Sequence, residues 1–198
     1  MMARPIGEEA IGQLFVAPRT HNRWTDRPLD PALLERAYAL AALGPTSMNC
    51  QPARFVFLSA PEAKARLLPA LAPMNVEKTR AAPFTAIIAT DTRFYDQLPR
   101  TFPHLPAARE VYASNPELAQ VTAFRNGSLT GAYFILALRA LGLDCGPMSG
   151  FSEEKVNAEF FPDGQWRANF LVNIGYGDGR ELFPRQPRLP ASEACVFL

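Results

Sequence analysis

Apolar residues recur along this chain at two spacings, and each spacing predicts its own kind of element. A first short helix is expected over Glu8 to Val16. The next begins beyond Asp30, an N-cap candidate followed by Pro31 at the first helical position, and Leu33, Leu34, Ala37, Tyr38 and Ala41 share one face. Gly44 and Pro45 stop it, read as a left-handed cap and a residue that cannot continue a helix. After a polar loop, Thr46 to Pro52, the run ARFVFL (53–58) reads as a buried strand. Pro61 to Leu71 reads as helical, FTAIIA (84–89) as a second strand, and NFLVNI (169–174), ending in Gly175, as a third. The longest helical pattern runs from Glu117 to Leu141 and is closed by Gly142. Its second half, LTGAYFILALRAL, is apolar nearly all round, which predicts burial on several sides, in the middle of the fold or at a subunit interface. Strands alternating with helices indicate an α/β or α+β layered domain, with the sheet order left open.

Length and composition narrow the class. At 198 residues with 48% hydrophobic residues, one globular domain over 1–198 is expected. Lys plus Arg is 20 against 19 for Asp plus Glu, a net charge of +1, which excludes disorder and argues against a nucleic-acid surface. All but three of the cations are Arg, the exceptions being Lys64, Lys78 and Lys155. Cys50, Cys145 and Cys195 are widely spaced without a C-x-x-C, which fits neither a disulfide framework nor a zinc site and suits a reducing cytosol. The N-terminal MMARPIGEEA has acidic residues where a signal peptide needs an apolar stretch. The tract Leu129–Leu143 is interrupted by Arg139 and falls short of the ~20 residues of a membrane span. A cytoplasmic protein with no membrane partner is the expectation.

No P-loop, G-x-G-x-x-G after a strand, H-E-x-x-H or G-x-S-x-G is present, and two histidines are few for a metal centre. GYGDG (175–179) reads as a strand-end turn. A thiol nucleophile at Cys50 with His21 as base stands against a buried structural thiol, which is favoured. The remaining polar clusters sit at element boundaries. RTHNRW (19–24) puts Arg19, His21 and Arg23 at alternate positions, so an extended segment would aim all three from one face, as a phosphate clamp or as Arg–carboxylate pairs. GPTSMNCQP (44–52) gathers small polar residues between a helix and a strand, as a ligand loop or a well-capped loop. Asn75 and Lys78 lie three apart on a helical turn. CGPMSGF (145–151) reads as a loop whose backbone N–H groups are free to face a ligand, and PRQPR (184–188) supplies two further cations.

In this order the clusters RTHNRW, GPTSMNCQPARFVFL, NVEKTRAAP, VTAFRNGSLTGAY, ALGLDCGPMSGF and NIGYGDGRELFPRQPRL resemble the FMN-dependent nitroreductase family, and most nearly its malonic semialdehyde reductase branch of pyrimidine breakdown. The resemblance implies an α+β fold, a three-layer α/β/α sandwich with a mixed sheet flanked by helices, and a homodimer holding noncovalent FMN at its interface. It implies that Arg19, His21 and Arg23, with Arg185 and Arg188, hold the phosphate, and that Asn75 and Lys78 contact the flavin ring. Pro147, Met148, Ser149 and Gly150 then fall where a backbone N–H faces flavin N5, and Pro45, Thr46, Ser47 and Asn49 approach from the other subunit. The implied chemistry is ping-pong hydride transfer from NADPH or NADH, with no catalytic side chain and no metal. The branch substrate is 3-oxopropanoate, reduced to 3-hydroxypropanoate, and Arg100, His104, Arg109 and Arg125 are the cations available to its carboxylate. Nitroaromatic or quinone reduction, and flavin binding without turnover, are the alternatives.

Overall fold

The computed structural model describes residues 4–180 and 182–198; residues 1–3, the start of the stretch considered as a leader, lie outside them. In chain order the elements are α1 (Glu8–Ile11) with a π turn (Gly12–Val16), α2 (Ala32–Ala41), β1 (Ala53–Leu58), α3 (Pro61–Leu67), α4 (Pro73–Ala81) and β2 (Phe84–Asp91). They continue with α5 (Leu98–Thr101), α6 (Ala108–Ala113), α7 (Pro116–Ala140), β3 (Asp144–Met148), α8 (Glu153–Phe160), β4 (Trp166–Gly175) and α9 (Ala191–Ala194). No described helix is long and apolar enough to cross a membrane.

The four strands form one sheet in the order β1-β2-β4-β3, so β1 and β3 are its opposite edges. Every strand pair is antiparallel, and the parallel component is confined to an isolated Thr20–Cys145 bridge. Strand alternation sends side chains to two separate cores. Ala86, Ile88, Val172 and Ile174 face α2 and α7, meeting Leu34, Ala37, Phe134 and Leu138. Ile87, Ala89 and Leu171 face the other way, toward Leu67, Val76 and Val156 of α3, α4 and α8. Helices on both faces make three layers.

α7 seats directly on the sheet. Asn115 caps it, accepting from the Leu118 N–H at 3.0 Å, Pro116 occupies the first turn, and Gly142 at φ 75° ends it. The sheet-facing stripe includes Gly127 and Gly131, where a Cβ would come within 2.4 Å of Thr90 Cγ2 and of Phe170 Cζ. The helix is therefore buried on one side, not on several. Leu118, Val121, Phe124, Leu129 and Tyr133 remain exposed, an apolar row that suits the subunit-interface alternative.

Two further expectations change. Gly44 is not left-handed; the described glycines with positive φ are Gly142 and Gly164. α2 ends instead in a tightened turn, Gly44 N–H to Ala41 O at 3.0 Å, and a Cβ at Gly44 would lie 2.9 Å from Tyr133 Cγ. The first four residues of CGPMSGF, read as a loop, lie with Asp144 in strand β3. Its glycine and proline hide the strand pattern, and an edge position tolerates the missing proline N–H.

Phe134, fully buried on α7, packs its ring 4.8 Å from Phe55 and 6.0 Å from Phe57 of β1. Phe134→Ala is expected to destabilise the fold by about 3–5 kcal/mol, read as a lowered urea midpoint with an unchanged m-value.

Candidate functional site

The Arg19–Trp24 segment is threaded between the β3 edge and the turn after β4. Thr20 bridges Cys145, Trp24 bridges Gly177, and the His21 N–H donates to Cys145 O at 3.3 Å. The chain bends at Asn22, so the expected alternation fails: His21 turns inward and is buried, Arg19 is half-buried and Arg23 exposed. His21 Nε2 lies 3.4 Å from Asp144 Oδ1, while Asp144 Oδ2 accepts the Gly177 N–H at 2.9 Å. His21 Nδ1 is buried with no partner among the described residues. Gly177 is obligatory here, because a Cβ would stand 2.0 Å from that nitrogen. Asp144, which the sequence analysis does not single out, is the partner that the sequence did not reveal.

The tail closes over this segment. Arg19 donates to the Phe183 carbonyl, and Arg185 to the carbonyls of Val16 and Pro18. Arg23 contributes to the field at Asp178, whose carboxyl Arg180 pulls down to about 2, first by side-chain hydrogen bonding. Arg188 does not join the cluster; it is exposed and donates to the carbonyls of Gln186 and Pro187 beside it.

α4 approaches the same edge. Trp24 Nε1 donates to Lys78 O at 3.2 Å, and the buried Asn75 donates through Nδ2 to Gly150 O at 2.8 Å. Asn75 thus fixes the backbone after β3, and a Cβ at Gly150 would lie 2.7 Å from its amide nitrogen. Pro147 and Gly150 are half-buried, Ser149 is exposed, and Met148 is buried in the core. Thr79, next to Lys78 and one turn beyond Asn75, is anchored from below: Thr85 Oγ1 donates to Asn173 Oδ1 at 2.8 Å, and Asn173 Nδ2 to Thr79 Oγ1 at 3.1 Å. All three are fully buried, so this polar seam sets the height of α4 on the sheet. Lys64 adds a clamp by donating to Ala82 O just past the helix, and burial pulls its ammonium below the ordinary lysine range. Burial also lowers Lys78.

The loop carrying Pro45, Thr46, Ser47 and Asn49 is elsewhere, leading into β1 at the other edge. Three strand spacings of ~4.8 Å put it about 14 Å across the sheet from β3. It also lies at the opposite end: Ala53 stands in register with Thr90 and Arg167, whereas β3 pairs with Leu171–Gly175. The loop is held rigidly. Asn126 of α7 accepts the Ser47 N–H at 2.9 Å, Thr46 Oγ1 accepts the Gln51 N–H at 3.2 Å, and Asn49 Nδ2 donates to Thr101 O at 2.8 Å. These bonds over-determine three left-handed non-glycine residues, Met48, Asn49 and Gln51, at φ 50°, 48° and 42°. Asn126 was legible only as one position in a helical pattern.

Two cavities flank this end of the molecule. One, about 540 Å³, lies against the loop and is lined by Tyr38, Thr46, Gln51, Phe55, Arg100 and Thr101 among others. The other, about 920 Å³, lies between α6, α7 and the start of β4, with Tyr95, Tyr112, Phe124, Arg125 and Arg167 in its wall. Of the four cations considered for a substrate carboxylate, Arg109 is paired with Asp96 at 2.9 Å, and His104 is exposed and packs on Phe102. Among the described residues no three His, Cys, Asp or Glu side chains gather as a metal site.

The family model that matches is the Nitroreductase family, over residues 19–176. A Polynucleobacter asymbioticus protein named "Putative NADH dehydrogenase/NAD(P)H nitroreductase" is 53% identical over 197 residues, covering the whole of both chains. A Burkholderia lata protein of the same description is 57% identical over 183 residues, covering 92% of this chain and 93% of its own. Among solved structures, an Exiguobacterium sibiricum "putative nitroreductase in complex with FMN" superposes with a TM-score of 0.84 at 19% identity, over 100% of this chain and 99% of that one. Matched over most of its length by the family model and more than half identical to full-length relatives, the chain belongs to the nitroreductase family.

Proposed function

We propose that this chain, acting as one domain over 1–198, forms a homodimeric FMN oxidoreductase that uses NADPH or NADH to reduce a small oxo acid. The coarser statement follows from its family: it is an NAD(P)H-dependent oxidoreductase of the nitroreductase type. The observation that carries the finer reading is the split of the candidate residues between opposite edges of one sheet. A second copy would bring the Thr46–Asn49 loop to the cluster at the β3 edge, and the exposed apolar row on α7 supplies a surface for that pairing.

The β3-edge residues fit a flavin mononucleotide. Arg19 and Arg185 donate to carbonyls and have no carboxylate partner among the described residues, so their charge is available to a phosphate. The buried, unpartnered Nδ1 of His21 lies within the same cluster. Bound FMN would supply the two-electron chemistry, and the protein would supply its orientation and field. Arg19, Arg23 and Arg185 hold the phosphate. Lys78 places a positive charge at the ring, and the seam through Thr79 fixes its position. Asn75 holds the Pro147–Gly150 backbone at the ring edge. The net reaction with 3-oxopropanoate transfers one hydride to the aldehyde carbon and one proton to its oxygen, giving 3-hydroxypropanoate and NAD(P)⁺. A broader nitroaromatic or quinone reductase is the second reading, favoured by a cavity of about 540 Å³, which suits far larger acceptors than a three-carbon acid.

A thiol mechanism has no support at Cys50. Its side chain is buried in a cluster with Phe94 and Tyr112, and burial pushes its thiol up to about 11. Cys145 is likewise buried and raised to about 11.

The purified protein is expected to take up equimolar FMN and to be bleached by NADPH or NADH; a colourless protein that gains no flavin on reconstitution overturns this reading. Lys78→Ala should slow flavin reduction about tenfold or more while retaining FMN, whereas Arg19→Ala should weaken FMN retention about tenfold to a hundredfold. Equal loss of FMN in both variants contradicts that division. The composite site makes a further prediction. Mixed dimers of an R19A chain with an N49A/Q51A chain carry one intact site, so activity should return to about half that of the native dimer. Burial raises the thiols of Cys50 and Cys145, so at pH 8 Ellman's reagent should react rapidly with the exposed Cys195 alone and reach all three cysteines on unfolding.

A further inference from the structure

We infer that Arg100 anchors the carboxylate of the acceptor and thereby selects anionic over neutral substrates. The inference rests on the reading above, in which the Thr46–Gln51 loop faces a flavin held mainly by the second copy. Arg100 belongs to α5, and the next residue, Thr101, accepts the Asn49 Nδ2–H at 2.8 Å through its carbonyl. That bond ties α5 to the loop, and Arg100 shares a cavity wall with the loop residues Thr46 and Gln51. An acceptor lying against the loop therefore has this guanidinium within the same enclosure.

The charges around that cavity leave Arg100 as the group able to take an anion. Arg54, the other cation in the wall, is bound to Asp91 Oδ2 at 2.6 Å and to the Gln51 and Ala53 carbonyls at 2.9 Å. Its charge is neutralised and its donors are engaged. Arg100 is exposed and has no hydrogen-bond or ion-pair partner among the described residues. Glu35 of α2 is the one carboxylate among the described residues of the wall and repels an anion from its own side, biasing it toward α5. The remaining wall is mixed. Tyr38, Phe55 and Phe57 offer apolar surface for the body of a substrate, and Gln97 and Thr101 offer polar groups beside Arg100. A planar, always-charged fork is suited to a carboxylate held at both oxygens. Arg125, by contrast, lines the other cavity.

The test compares 4-nitrobenzoate with nitrobenzene, acceptors that differ by the carboxylate alone, on the FMN-loaded native protein and its variants. Arg100→Gln is expected to raise KM for 4-nitrobenzoate about tenfold to a hundredfold, with kcat and the nitrobenzene kinetics little changed. Arg100→Lys should recover most of the loss, since charge is restored without the fork. Calorimetric titration of the oxidised protein with benzoate should show binding that R100Q weakens by a similar factor. Equal effects on both acceptors, or no effect on either, overturn the assignment, as does a carboxylate-selective loss in R125Q in place of R100Q. Should the native protein bind FMN but reduce neither compound, the proposed function fails, and benzoate titration still decides the anchor: binding lost in R100Q supports it, binding retained overturns it.

Discussion

The close seat of α7 on the sheet is the constraint on which the rest of the molecule depends. A helix can approach strands this nearly only where no Cβ intervenes, and Gly127 and Gly131 provide that gap above Thr90 and Phe170. The seat fixes the rotation of the helix, and the rotation decides everything else it carries. Phe134, Ala137 and Leu138 are committed to the core with Phe55 and Phe57. Asn126 is aimed at the backbone of Ser47, so a helix packed for apolar reasons also holds a polar loop in an unfavourable left-handed geometry. The opposite side of the helix is left with Val121, Phe124 and Tyr133 in solvent, which a single chain has no means of covering.

The other face of the sheet is organised by a different kind of contact. Thr85, Asn173 and Thr79 form a buried hydrogen-bonded line from β2 through β4 to α4, within a layer otherwise filled by Leu67, Leu171 and Val156. An apolar contact fixes a distance, whereas this line also fixes a register, because a slip of one residue would leave buried polar groups without partners. Asn75 and Lys78, within one turn of Thr79, inherit that register. Asn75 reaches Gly150, and Lys78 is presented beside Trp24. Placement of Asn75 and Lys78 is thus a consequence of specific polar bonding in the core, and placement of the loop a consequence of shape.

This difference explains what could be read from the sequence. β1, β2 and α7 follow from runs of apolar residues, and the structure places them within a residue or two of where the pattern ends. β3 does not, because Asp-Cys-Gly-Pro-Met has neither alternation nor β-branched residues, and it becomes a strand only by pairing with Met148↔Leu171 through Asp144↔Gly175. His21 was legible as part of a basic cluster, yet its direction depends on a bend at Asn22 and on Asp144, more than a hundred residues away. The resemblance names segments, but which atoms in them are engaged within the chain depends on partners distant in sequence. Gly44 illustrates the same point: its position after a helix suggests a left-handed cap, whereas its reason is the ring of Tyr133.

The near-neutral balance of charge hides a division that only partners reveal. Arg54 with Asp91 and Arg66 with Glu159 are matched pairs, and Arg109 shares Asp96 with Arg93 and also reaches Glu110, so these charges are met within the chain. Arg19, Arg185 and Lys64 donate instead to carbonyl oxygens, which accept a hydrogen bond but do not cancel a charge. A guanidinium oriented by a carbonyl is therefore both fixed in place and still positive, the condition that an anion-binding group needs and that an ion pair removes. Lys64 shows the limit of the rule, since its ammonium is buried against Ala82 and closed to any ligand. Arg19 and Arg185 hold each other's segments together across the two ends of the chain, so the positive cluster forms only once the tail has returned to the β3 edge. Assembly of this positive cluster is in that way tied to completion of the fold.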